Sequence, residues 1–207
     1  MEAKGKFILL EPGEFSNWLN MQTVTRKIKL VQHHHTYSPA YKNFNGNNHF
    51  DLCENMEYYH INQRGFAQIA QNFTIFPDGK IMICRNINTV PAGITGANTY
   101  GICIENIGCF DKNKDIMNDE QKQSIILVTK ILLEKFSLTP SDQTIVYHHW
   151  YDLNTHKRIT TEGKGITKSC PGTNFFGGNT IADFNEYFLQ TLKSSVAERL
   201  FSYSTLK

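Results

Sequence analysis

Two histidine clusters and one cysteine-bearing turn hold the residue types in this chain that can do chemistry. The first cluster, His33-His34-His35-Thr36, follows an apolar run from Ile28 to Val31. The second, His148-His149, ends the run Ile145-Val146-Tyr147. Beyond it, Lys168-Ser169-Cys170-Pro171-Gly172 places a thiol in a Pro-Gly turn with an amine two residues before it. Imidazole and thiolate together are zinc ligands, and a cationic amine beside them suits a site where negative charge develops. One cluster alone reads equally well as surface histidines near an inert cysteine. Two strand ends bearing histidines plus one thiol supply three ligands, however, and catalytic zinc is held by three protein ligands with a fourth position left for water. Alternation along a strand lets only one of each adjacent histidine pair point at a metal, so the choice within each cluster stays open at this point.

Glu105 stands inside the most apolar run of the chain, Gly101-Ile102-Cys103-Ile104-Glu105-Asn106-Ile107. A carboxylate there is costly unless it is paired, liganding or catalytic. Beside a metal it fits a general base that takes the proton of an attacking water. The plain alternative is a strand exposed along one side, with Glu105 in solvent. If Glu105 faces the metal, Cys103 shares its side of the strand and Ile104 takes the other.

These residues need elements to position them. Phe7–Leu10 reads as a short strand, and residues 14–20 as a short helix with Phe15, Trp18 and Leu19 on one face. Residues 27–34 suit a strand in a mostly buried sheet. The asparagine-rich stretch 38–48 reads as a loop near the cleft. Phe50, Cys53, Met56 and His60 recur at helical spacing over 49–64, and Gly65 closes that helix. Residues 71–76 and 80–85 flank Asp78-Gly79 as a hairpin. Residues 100–107 form the central strand. A helix over 119–136 starts at a cap, Asn118 or Asp119. Residues 145–148 are the last strand. A C-terminal helix over 180–192 buries Ile181, Phe184, Tyr187, Phe188 and Leu192. With no repeat or linker, this predicts a single α/β domain: a central mixed β-sheet flanked by helices, with a zinc cleft at the strand ends. Its expected limits are 27–193, with 1–26 an N-terminal extension packed on it and 194–207 a C-terminal tail.

The chain has 207 residues, enough for one well-buried domain and short for two. A net charge of +2 with 19% charged residues gives no strong field for nucleic acid, and 40% hydrophobic residues exclude a disordered chain. Five cysteines without a CxxC pair fit a reduced compartment and a single functional thiol better than a disulfide framework. The N-terminus shows no signal-peptide apolar region, and no run is long enough to span a bilayer, so synthesis as a soluble cytoplasmic protein without a membrane partner is expected.

The His-His-Thr after a strand, the Asp-Gly hairpin, the Ile-x-Ile-Glu strand and the His … Lys-x-Cys-Pro-Gly ending together resemble the type-2, zinc-dependent N-acetylmuramoyl-L-alanine amidases. That class includes phage endolysins, and peptidoglycan recognition proteins share its fold. The resemblance runs over residues 29–176. It implies zinc held by His34, His148 and Cys170, with His33, His35 and His149 as neighbours. It implies Lys168 as the group that steadies an oxyanion and Glu105 as the proton-transfer group. It also implies a peptidoglycan substrate, a monomer, and action on the cell wall after release by a holin or by lysis, or in cytoplasmic recycling. His60 and Trp150 are further candidates for the substrate groove.

Two departures from the family pattern stand out. Some relatives carry a catalytic tyrosine before the Asp-Gly turn where this chain has Gln71, which leaves proton transfer to Glu105. The segment from His148 to Cys170 is long for the family, and residues 151–167 are expected to wall the groove. Two rival readings are a module that binds peptidoglycan without cutting it, and a cysteine hydrolase with Cys170 as nucleophile and His148 as base. A proline directly after the thiol, and an idle first histidine cluster, weigh against the second rival.

Overall fold

The computed structural model describes residues 1–159 and 163–194. Among the described residues seven strands form one mixed sheet: β1 (Glu2–Lys4), β2 (Phe7–Leu10), β3 (Leu30–His35), β4 (Phe73–Ile75), β5 (Ile81–Ile83), β6 (Gly101–Asn106) and β7 (Ile145–Tyr147). Their spatial order is β1-β2-β5-β4-β6-β3-β7. The strands β4, β6, β3 and β7 run parallel, while β1, β2 and β5 join by antiparallel pairing. The expected hairpin is β4–β5, and the expected central strand β6 lies inside the sheet with both edges paired.

Strict alternation on these strands builds two cores. Ile8 and Leu10 of β2, with Ile81 and Ile83 of β5, face the larger cluster, covered by α1 (Phe15–Asn20), α3 (Asp119–Lys135) and the C-terminal helix. Phe7, Leu9 and Met82 face the opposite side, covered by α2 (His49–Asn62) through Leu52, Cys53 and Met56. Both sheet faces are thus apolar, which is why the parallel strands read as apolar runs rather than alternating ones.

The cap of α3 is Asn118, whose side-chain oxygen accepts the Gln121 N–H. Gln121 in turn donates to the carbonyls of Ile75 and Ile107, tying the helix start to the ends of β4 and β6. Asn118→Ala is expected to cost about 1 kcal/mol of stability, the usual worth of such a cap. Denaturant unfolding checks it, and zinc content should not change.

One strand was not foreseen, and two local expectations are corrected. The N-terminal segment contributes β1, whose three residues are exposed and give no apolar signal, and whose strand partner among the described residues is β2. The C-terminal helix is not a uniform α-helix. It begins as α4 (Ile181–Asp183), widens into a π-helical turn over Phe184–Phe188 and continues over 189–194. Across this turn Phe184, Phe188 and Leu192 stay on the core, while Tyr187 is 44% exposed. Trp150, considered for the groove, is a core residue instead: its ring stacks against Tyr147 and its Nε1–H donates to the carbonyl of Asn179. Of the expected tail, residues 195–207 lie outside the described residues.

Candidate metal centre

Register decides what each histidine faces. In the parallel β3–β6 ladder His34 lies opposite Glu105 and His33 opposite Ile104, while Thr74 of β4 flanks Glu105 on its other side. His34 therefore shares the α2 face of the sheet with Glu105. His33 points into the opposite core, where its Nε2 meets Thr129 Oγ1 of α3 at 3.0 Å. His35, at the strand end, accepts the Phe110 N–H on its Nδ1. Thus β3 delivers one of its three adjacent histidines to the face that carries Glu105, as alternation requires.

At the carboxyl ends of β3 and β7, His34 Nδ1 lies 3.3 Å from His148 Nδ1 and 3.4 Å from Cys170 Sγ. The three donor atoms all fall within 4.8 Å of one another. With bond lengths of about 2.0–2.3 Å, tetrahedral zinc separates such donors by roughly 3.3–3.6 Å, so the donor set fits this ion. Burial is the first cause lowering His34 far below the usual imidazole range, and it brings His148 down to about 4, with the Lys168 charge adding to both. Neutral imidazoles with open lone pairs are what a metal needs. Burial pushes the Cys170 thiol up, and nearby Glu105 adds to this.

His149 works on the other side of the turn. Its Nδ1–H donates to the Lys168 carbonyl at 2.7 Å, and its backbone N–H donates to the Cys170 carbonyl at 2.7 Å. The second histidine of the pair thereby anchors the loop that presents the thiol.

Glu105 sits beside the three donors, its Oε1 4.0 Å from His34 Nδ1. Its Oε2 is buried without a hydrogen-bond partner among the described residues. Loss of hydration pushes its carboxyl up to about 8, with the Lys168 ammonium pulling the other way. Lys168 is exposed at the rim of the same cleft. Cys103 shares the side of Glu105: its Sγ lies 2.7 Å from where a Cβ on Gly93 would stand, in the same pocket of space as His34 Nε2.

These groups open into a cleft of about 670 Å³. Residues 151–156 contribute Tyr151, Asp152 and His156 to its wall, and His60 also lines it. Along α2 the cleft runs on into a second groove of about 630 Å³, with Tyr37, Tyr59 and Glu105 common to both. Gln71 is absent from either lining; it is buried under α2 and donates to Thr74 Oγ1. Sequence reasoning missed Tyr37, Tyr59 and Arg64 as wall residues, since their local pattern carries no sign of a cleft built from other elements.

A family model described as N-acetylmuramoyl-L-alanine amidase matches residues 24–173. Over 61 residues, 30% of this chain, the sequence is 41% identical to peptidoglycan-recognition protein LE of Drosophila melanogaster, a segment that spans 18% of that relative. The fold matches wild-type Drosophila PGRP-LB with a TM-score of 0.55 at 19% identity, over 79% of this chain and 82% of the other. Peptidoglycan recognition protein-LE in complex with tracheal cytotoxin matches with a TM-score of 0.54 at 24% identity, over 70% and 80%. Amidase LysC from Clostridium intestinale URNW matches with a TM-score of 0.50 at 24% identity, over 74% and 84%. With three quarters of its length under the family model and a sheet shared with these proteins, the chain belongs to the type-2 N-acetylmuramoyl-L-alanine amidase family.

Proposed function

We propose that this protein is a zinc-dependent amidase that cleaves the amide between the lactyl group of N-acetylmuramic acid and the L-alanine of the peptidoglycan stem. The observation that carries the reading is the third donor: Cys170 completes His34 and His148, and Glu105 stands beside them with an unpartnered oxygen. Residues 27–193 would form the catalytic unit, with 1–26 packed onto it.

His34, His148 and Cys170 would hold the ion, which when bound supplies Lewis acidity to polarise the scissile carbonyl and acidify a water. Glu105 takes the proton of the attacking water and returns it to the departing amine of L-alanine. Lys168, exposed at the cleft rim, brings its ammonium to the developing oxyanion. The long groove along α2 gives room for stem peptide or glycan on both sides of the reacting bond.

Digestion of purified peptidoglycan tests the bond. New L-alanine amino termini without new reducing sugar ends are expected; reducing ends without amines would mean a glycosidase. A second reading, recognition without cleavage, draws on Gln71 at the place of the relatives' tyrosine, and it predicts binding of wall fragments with neither product. Lys168→Ala should keep zinc and lose about two to three orders of magnitude in turnover, in the range measured for removing an oxyanion donor. Full turnover in that variant would remove Lys168 from the scheme.

A further inference from the structure

The buried carboxamide of Gln32 has no role in the reading above. It lies two residues before His34 on the same face of β3, fully enclosed. Its Oε1 accepts the Ile94 N–H at 3.0 Å and lies 3.3 Å from His34 Nε2. Its Nε2 lies 3.3 Å from Asn98 Oδ1, and that same oxygen accepts the Gly93 N–H at 3.0 Å.

Two backbone N–H groups fix every donor and acceptor in this cluster. A backbone N–H can only donate, so the Asn98 atom facing Gly93 is oxygen, and the Gln32 atom facing Ile94 is oxygen. Gln32 Nε2 then donates to Asn98, and neither amide can flip without setting donor against donor. An amide oxygen can only accept, so the ring nitrogen of His34 facing it carries the hydrogen. A neutral imidazole has one N–H; with that hydrogen on Nε2, Nδ1 is left as a bare lone pair. Nδ1 is the atom that faces His148 and Cys170.

The chain makes room for this arrangement. A Cβ on Gly93 would collide with Gln32 Oε1 and would come within 3.0 Å of His34 Nε2, and a Cβ on Gly101 would collide with Gln32 Nε2. Two close backbone approaches thus enclose one carboxamide, and His34 is the only ring nitrogen it faces among the described residues.

We propose that Gln32 is a positioning residue of the metal centre, which holds His34 in its Nε2–H tautomer and so presents Nδ1 for zinc. The proposal rests on the reading of His34 as a zinc ligand, but its first test does not need the metal. Long-range nitrogen–proton spectra of the metal-free protein report the tautomer of each histidine. In the wild type His34 should be the Nε2–H form, and in Gln32→Met, which keeps the shape and removes the acceptor, a mixture of both tautomers. Competition against a zinc chelator should show about a ten- to a hundredfold loss of affinity in Gln32→Met, the usual worth of such outer partners. Gln32→Glu, which keeps an acceptor oxygen opposite Nε2, should retain the Nε2–H form. A wild-type His34 protonated on Nδ1, or a folded Gln32→Met with unchanged tautomer and zinc affinity, overturns the proposal. If Gln32→Met does not fold, the wild-type tautomer decides. A wild type that shows the Nε2–H tautomer yet binds no zinc would overturn the metal reading and leave the tautomer assignment standing.

Discussion

One zinc ion per chain is the expected result of metal analysis on the purified protein, and Cys170→Ser is expected to lose it together with activity. The reason lies in the donor set. Cys170 is the one thiol among three ligands, and its charge when ionised offsets half that of the ion. A serine hydroxyl at the same place is a weak ligand that stays protonated, so the variant keeps two neutral imidazoles facing each other at 3.3 Å with nothing to close the site. His34→Ala should act alike, because it removes the atom that lies within 3.4 Å of both other donors. Catalysis that depends on the ion should fall below detection in both. His33→Phe supplies the contrast: that ring points into the opposite core against Phe175 and Phe188, so any loss there belongs to stability, with zinc content unchanged. Full occupancy in Cys170→Ser would remove the thiol from the ligand set.

The parts legible in the sequence were those where a local pattern meets a steric rule. Apolar runs marked the strands, Asp78-Gly79 marked the hairpin, and the Asn118-Asp119 pair marked the start of α3, where the structure chooses Asn118. The likeness of four ordered motifs to one family singled out His34, His148 and Cys170 from eight histidines and five cysteines. What stayed hidden depends on contacts across the chain. Nothing in Glu2-Ala3-Lys4 foretells a strand, because its pairing with β2 and not its side chains makes it one. Helical spacing put Tyr187 on the buried face, whereas it lies 44% exposed within the π-helical turn over Phe184–Phe188. Gln32 looks like a polar interruption of an apolar run until Ile94, Asn98 and His34 surround it. Trp150, which neighbours the site in sequence, turns away from it to pack on Tyr147 and Phe184.

Glu105→Gln is expected to keep the fold and the zinc and to lose about two to four orders of magnitude in rate, the usual worth of general acid–base catalysis. The substitution is close in shape, and Glu105 is not among the three donors that converge, so metal content should hold. An amide cannot take the proton of a water or return one to an amine, which confines the loss to the chemical step. The position leaves little competition for the role. Thr74 on one side is a hydroxyl already engaged with Gln71 and near the Cys84 sulfur, and His34 on the other is one of the three converging donors. His35 and His149 each have Nδ1 in a hydrogen bond to the backbone. Gln71→Ala, buried away from the cleft, should cost stability through its contact with Thr74 but leave turnover per folded molecule near that of the wild type. The measurement is the rate of amine release from peptidoglycan at saturating zinc, with metal content determined on the same samples. A Glu105→Gln protein that digests wall at nearly the wild-type rate with its zinc in place would move proton transfer to another group lining the cleft, such as Tyr37 or Tyr59. It would leave the metal centre as described and the assignment of its base wrong.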